Sequence, residues 1–207
     1  MTSDPDCLII IVDDDAGVRD SLAALLEAKG YQTRLFKDAE SFLSENDSAE
    51  QAVILIDYSM GDMTGLDAIR QTRAEGDRRP IIMITAHGDI ELAVEAMRAG
   101  ASDFIEKPWE KDALFEAIER VAEHARSAAE LAEGRARALA AIKSFTPREK
   151  DVFDQLITGA SNKLVARALD LSPRTVEFYR ANVFEKAGVS SVAELVRLAF
   201  MSKGASL

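Results

Sequence analysis

Over the first 110 positions the apolar residues fall into two kinds of segment that alternate along the chain. Short, nearly continuous runs occupy Leu8–Val12, Gln32–Phe36, residues 52–56, Ile81–Thr85 and Asp103–Glu106. Between them lie stretches whose apolar positions recur every three or four residues. Val18, Leu22, Leu25 and Leu26 share one face of residues 18–29, residues 66–75 repeat the pattern, and Leu92, Ala96 and Met97 do so within 92–98. Runs of the first kind predict strands buried on both faces, and the second kind predicts amphipathic helices. Gly30 and Gly100 stand where helix C-caps belong. Five strand–helix units in a row predict an α/β fold, with a doubly wound five-stranded parallel sheet. Every strand of such a sheet points its carboxyl end to one edge, where ligands bind.

After Glu110 the strand pattern stops. Residues 110–143 are rich in Ala, Glu, Leu and Arg and lack proline, which predicts one long connecting helix. A heptad frame fits it, with Ile118, Ala125, Ala132 and Leu139 at one core position. Leu114, Val121, Ala128 and Ile142 fill the other, although Arg135 interrupts that series and Gly134 weakens the helix nearby. This is either the last helix of the first domain running into a linker or a thin coiled coil between two chains. Residues 144–207 then predict an all-α domain of four helices. Thr146-Pro-Arg-Glu149 is a capped helix start, and the helix it opens runs to about Thr158. Further helices are expected over Asn162–Leu169, from Ser172-Pro173 to Ala187, and from Val192 to about Met201. The second and third are separated by Asp170 and Leu171, the spacing of a helix-turn-helix. The divisions are therefore 6–123, 124–143 and 144–207.

Composition adds limits. The 207 residues include 47% hydrophobic and 29% charged side chains and one cysteine, Cys7. That mix excludes a collagen, a disordered tail and a disulfide scaffold, and points to a reducing compartment. The run from Cys7 to Val12 is far shorter than the ~20 residues of a membrane span. Asp4 and Asp6 stand where a signal peptide would carry bases. A cytoplasmic, soluble protein with no membrane partner is expected. A net charge of −11 disfavours nucleic acid as an average, but it is unevenly placed. Residues 1–125 hold 27 acidic and 12 basic side chains, a balance of −15, whereas residues 126–207 stand at +4. Two parts with different partners are implied.

Polar residues mark four strand ends of the first part. Asp13, Asp14 and Asp15 follow the first strand, Asp57 the third, Thr85 ends the fourth, and Lys107-Pro108 follows the fifth. On one sheet edge these groups converge despite their distance in sequence. Carboxylates gathered at one point repel unless a cation sits among them, and an oxygen-only donor set suits Mg²⁺. A hydroxyl and an ammonium beside them suit a phosphoryl group, and the Asp57 carboxylate can itself be the nucleophile. Asp15 reads as a helix cap, Trp109 as sheet packing, His87 as a loop residue and His124 as a solvated helix position.

These positions resemble the receiver domains of two-component response regulators, over roughly residues 6–123. The resemblance implies a flavodoxin-like fold in which Asp13, Asp14, Asp57 and the Ser59 carbonyl hold Mg²⁺. Asp57 would accept a phosphoryl group from a sensor histidine kinase. Thr85 and Lys107 would bind the phosphoryl oxygens, Phe104 would rotate inward as Thr85 does so, and the Lys107–Pro108 bond would be cis. Gly61 departs from the family, which usually has proline there; glycine would loosen the loop beside the metal.

In the last part, Val176 and Val183, with Tyr179 or Phe184, can face a helical core. Arg174, Thr175, Glu177, Phe178, Arg180, Ala181 and Asn182 are left nearer to solvent. Lys163, Arg167 and Lys186 are placed to reach phosphates. Arg180 suits guanine and Asn182 adenine, without a choice between them. Phe145-Thr-Pro-Arg-Glu149, Ser161-Asn-Lys163, Ser172-Pro-Arg-Thr-Val-Glu177 and Arg180-Ala-Asn-Val183 resemble the LuxR-type helix-turn-helix, close to the FixJ subfamily. Tyr179 replaces the histidine common there, and can still donate one hydrogen bond.

The resulting expectation is a phosphorylation-dependent transcription regulator that binds promoter DNA and forms a homodimer on phosphorylation or through the linker helix. It would assist only its own phosphoryl transfer and dephosphorylation. One rival is a Mg²⁺-dependent phosphatase working through an aspartyl phosphate. Haloacid-dehalogenase-type enzymes carry a second aspartate two residues after the nucleophile, where this chain has Ser59. The other rival is an interaction protein whose helical bundle only oligomerises.

Overall fold

The computed structural model of the chain describes residues 7–45, 51–86 and 90–203. Asp4, Asp6 and His87, read above from the sequence, lie outside the described residues. The backbone divides into two compact units, Met1–Arg126 and Ser127–Leu207. In the first, strands and helices alternate: β1 (Leu8–Val12), α1 (Ala16–Ala28), β2 (Gln32–Phe36), α2 (Ala39–Ser44), β3 (Ala52–Asp57) and α3 (Gly65–Ala74). β4 (Ile81–Thr85), α4 (Ile90–Ala99), β5 (Asp103–Glu106) and the long α5 (Lys111–Lys143) follow. The strands pair in parallel in the order β2-β1-β3-β4-β5. That order reverses between β1 and β3, which opens a crevice at their carboxyl ends.

The continuous apolar runs are explained by burial on both faces. Ile9, Ile11, Val53, Leu55, Ile82 and Ile84 pack with Leu22 and Leu26 of α1 and Leu114, Ile118 and Val121 of α5. Their neighbours Ile10, Val12, Ile54, Ile56, Ile81 and Met83 pack with Phe42 of α2, Ile69 of α3 and Ala96 of α4. Each such side chain contributes about 1.5–3 kcal/mol by leaving water. The helix limits of α1, α3 and α4 differ from the sequence pattern by one or two residues, and two further features depart from it. β3 extends one residue further, because Asp57 still pairs in the ladder opposite Ile84. The six-residue α2 was not separately anticipated; it is too short to show a helical period, and its mark is Asp38 accepting from the Ser41 N–H at 2.8 Å.

The second unit holds the rest of α5 together with α6 (Pro147–Leu156), α7 (Asn162–Leu169), α8 (Pro173–Ala187) and α9 (Val192–Lys203). Val152, Phe153, Leu156, Val165, Val176, Val183 and Leu195 form its core. The capping box predicted at Thr146 is present, with Glu149 N–H donating to Thr146 Oγ1 and Thr146 N–H to Glu149 Oε2. α6 is shorter than expected, ending at Leu156 because the Thr158 and Gly159 N–H groups donate only three residues back, to the Gln155 and Leu156 carbonyls. The turn between α7 and α8 needs a left-handed residue, and Asp170 supplies it at φ 52°, ψ 51°. Of the heptad residues, Leu114, Ile118 and Val121 serve the sheet, while Ile142 packs on the helical core. Gly134 does not break α5, and its lack of a side chain admits the Met201 methyl of α9.

Candidate functional site

Strand geometry brings Asp13, Asp57 and Lys107 together although 94 residues separate the first from the last. Lys107 Nζ donates to Asp57 Oδ1 at 2.6 Å and to Asp13 Oδ2 at 2.9 Å. Both carboxylates are buried, at 3% and 6% exposure, so one ammonium offsets two low-dielectric charges. The remaining oxygens are also engaged. Asp57 Oδ2 accepts from the Ser59 N–H at 2.6 Å, and Asp13 Oδ1 accepts from the Asp15 N–H at 2.9 Å. Thr85 is buried at the end of β4, and its carbonyl accepts from the Lys107 N–H at 2.7 Å. Asp14 and Ser59 stand exposed at the rim, and Phe104 is half-buried on β5. Asp15 caps α1, and the Lys107–Pro108 bond is cis.

Burial pushes the Asp57 carboxyl above the ordinary aspartate range, although hydrogen bonds from Lys107 and the Ser59 N–H pull it back. Desolvation weakens the Lys107 ammonium, but its hydrogen bonds to Asp13 and Asp57 outweigh that and leave it above the ordinary lysine range. The lysine therefore stays charged, and the Asp57 carboxylate is kept close to its counter-ion. The groups at this edge offer oxygen donors only, Asp13 and Asp57 buried and Asp14 and Ser59 exposed, and donors of that chemistry suit Mg²⁺ with several waters retained. Among the described residues no three carboxylate, histidine or cysteine side chains already close on a metal position.

The loop after Asp57 is fixed by backbone contacts. Gly65 N–H donates to Tyr58 O at 2.9 Å, and a β-carbon at residue 65 would lie 2.1 Å from the Asp57 carbonyl oxygen. Only glycine allows that approach. Gly61 has φ +72°, a conformation closed to proline.

In the second unit α8 presents Arg174, Glu177, Phe178 and Ala181 to solvent, with Thr175 and Asn182 half-buried beside them. Val176 and Val183 are buried, and Tyr179 and Phe184 both pack on the core. Lys163 and Arg167 are exposed on α7. Two cations differ from the free positions expected of them. Arg180 donates to Asn162 Oδ1 at 3.1 Å and lies over the Phe184 ring at 5.0 Å. Lys186 donates to the buried Glu149 carboxylate at 2.6 Å and to Ser144 O at 3.4 Å. It therefore tethers the end of α8 to the start of α6.

Comparison with known proteins decides the family. A response regulator receiver domain model matches residues 9–119, and the model of the LuxR family of bacterial regulatory proteins matches 143–199. The transcriptional regulatory protein FixJ of Bradyrhizobium diazoefficiens is 45% identical over 92% of this chain and 93% of its own. FixJ of Rhizobium meliloti is 41% identical over 94% and 95%. The chain is a response regulator of the FixJ type. Its fold matches the response regulator StyR with a TM-score of 0.81 at 35% identity, over 93% of this chain and 98% of that one. Full-length FixJ from B. japonicum matches with 0.61 at 42%, over 96% and 98%.

As a FixJ-type regulator the chain couples a receiver to a DNA-binding helix-turn-helix, and transcription regulation is its function. The residues that sequence reasoning missed in this regulator are supports. Gly65 was legible only as one glycine among several, since its role depends on a carbonyl brought close by the fold. Asn162, which holds Arg180, carried no signal beyond its place near a helix start.

Proposed function

We propose that Asp57 is the phosphoacceptor, that the donor is a phosphohistidine of a sensor kinase, and that the transfer needs Mg²⁺ at Asp13, Asp14, Asp57 and the Ser59 carbonyl. The juxtaposition of two buried carboxylates on one lysine at the sheet's switch point carries this reading. An Asp57 oxygen forms the new P–O bond as the P–N bond of the phosphohistidine breaks, and the histidine leaves with the electron pair. When bound, the cation offsets the charge of the phosphoryl oxygens. Lys107 exchanges a carboxylate partner for a phosphoryl oxygen, and the Thr85 hydroxyl takes another. Phe104, half-buried on the neighbouring strand, follows Thr85 inward and alters the surface of α4 and β5. Hydrolysis of the acyl phosphate resets the switch, and turnover of external phosphate esters is not part of it.

The output is binding of double-stranded promoter DNA in the cytoplasm by a homodimer. A charge balance of +4 on the second part gives one copy little hold on a polyanion. Two copies on neighbouring half-sites gain by linkage, so dimerisation is the natural control point. Arg174, Thr175, Glu177, Phe178, Ala181 and Asn182 supply the groove face, with Arg180 after release from Asn162. Lys163 and Arg167 contact phosphates, and Lys186 fixes the end of α8 instead. Light scattering and DNA binding, with and without beryllofluoride, on wild type and Asp57→Asn test the whole scheme. Beryllofluoride should raise both mass and affinity in the wild type alone. Unchanged mass and affinity in the wild type would overturn it.

A further inference from the structure

At the sheet edge opposite Asp57, a pocket of about 320 Å³ opens beneath the amino ends of β4 and β5. Pro80, Val121 and Ala125 give it apolar walls, and Arg78, Ser102, Arg120 and His124 give it polar ones. Its frame is built from neighbours that are already satisfied. Arg73 donates to the carbonyls of Asp77, Arg79 and Gly100, and Arg79 pairs with Asp77 at 2.6 Å. The segment before β4 is thereby held from behind, while Arg78 projects outward with no hydrogen bond or ion pair among the described residues.

The polar groups lining the pocket share one character. Arg78 keeps all its N–H donors, Arg120 spends one nitrogen on Asp103, and His124 is exposed with no hydrogen-bonding partner among the described residues. Ser102 Oγ accepts from the Ile81 N–H at 3.3 Å, which leaves its hydroxyl hydrogen to donate. Asp103, the acid that pairs across this edge, is already taken by Arg120. Two guanidinium groups against one carboxylate leave a single positive charge in a unit whose overall balance is strongly negative. Donors in excess, one net charge and apolar walls fit a monoanion with a compact apolar body.

We propose that this pocket binds a small organic acid, its carboxylate held by Arg78, Arg120 and Ser102 and its body against Pro80, Val121 and Ala125. A planar carboxylate suits the forked donors of arginine, whereas a phosphate dianion leaves the apolar walls unused and one charge unmatched. The site is independent of phosphorylation, since it stands at the other end of the strands from Asp57.

The test is a ¹H–¹⁵N titration of the full chain with benzoate, benzyl alcohol and inorganic phosphate. Benzoate should shift the Ser102, Val121 and Ala125 amides saturably, and at least tenfold more tightly than either other probe. Arg78→Ala should weaken benzoate tenfold or more, and Ala125→Phe, which fills the pocket, should abolish those shifts with every arginine in place. Asp57→Asn should bind benzoate as wild type does, which separates this result from the fate of the phosphoacceptor reading. Equal affinity for benzyl alcohol, tighter binding of phosphate, or no loss in folded Arg78→Ala would each overturn the proposal.

Discussion

The two units place their functional groups by opposite means. In the receiver, Asp13, Asp57, Thr85 and Lys107 sit at or beside strand ends, so the parallel ladder fixes their spacing before any side chain chooses a rotamer. The charges are buried and satisfied by one another. In the helical unit the proposed DNA face of α8 is largely solvent-exposed, and two cations of that helix are placed by side-chain partners: Arg180 by Asn162 and Phe184, Lys186 by Glu149. A site aimed by backbone is legible from residue type and position. A site aimed by side chains is not, because the same lysine can serve as a ligand or as a tether.

The largest expected effect tests the receiver half of that contrast. Asp57→Asn should abolish phosphoryl incorporation from a small-molecule phosphodonor, read as the missing mass increment of the intact protein. Any residual incorporation at Asp13 or Asp14 would mean that the strand-end geometry does not single out one nucleophile. Next in size, Phe42→Ala should cost the receiver about 3–5 kcal/mol, and Leu195→Ala should cost the helical unit about 2–5 kcal/mol. Calorimetry should show each change on a separate transition, and a single shared transition would break the division at Arg126–Ser127.

Much of this was legible in the pattern of the chain, for reasons that particular elements make clear. β1, β3 and β4 were readable because double burial leaves them almost wholly apolar, and Asp57 was readable because it ends such a run. The capping box at Thr146 is local chemistry and needs no fold to be seen. α2 was too short to show a period, and Gly65 owes its role to a carbonyl eight residues earlier. The ion pair of Lys186 was not legible, because its partner, Glu149, lies 37 residues away and already looked occupied as a cap.

Smaller effects sharpen the side-chain half of the contrast. Lys163→Ala should weaken DNA binding across sequences and lower the salt slope by about one, as removal of one phosphate contact does. Lys186→Ala should leave that slope unchanged and lower the melting temperature of the helical unit instead. Glu149 is held below the ordinary glutamate range by the Lys186 ammonium first and by the Thr146 N–H next. Its contribution is therefore present above the unfolded glutamate value and is lost as pH falls through the lowered folded one. Thermal unfolding against pH should show that slope in the wild type and a flatter one in Glu149→Gln. The smallest effect belongs to Asp170→Gly, which relieves a left-handed backbone and should stabilise the helical unit by up to about 1 kcal/mol.

Gly65 sets a distance that no acid or base in the receiver can set for itself. Because its missing side chain lets the loop lie against the Asp57 carbonyl, the aim of the proposed phosphoacceptor is held by one backbone pressed on another. Alanine there must push the strand end away, and larger residues must push further. Substitution at position 65 thus offers a graded way to detune signalling strength while every charged group of the site keeps its identity.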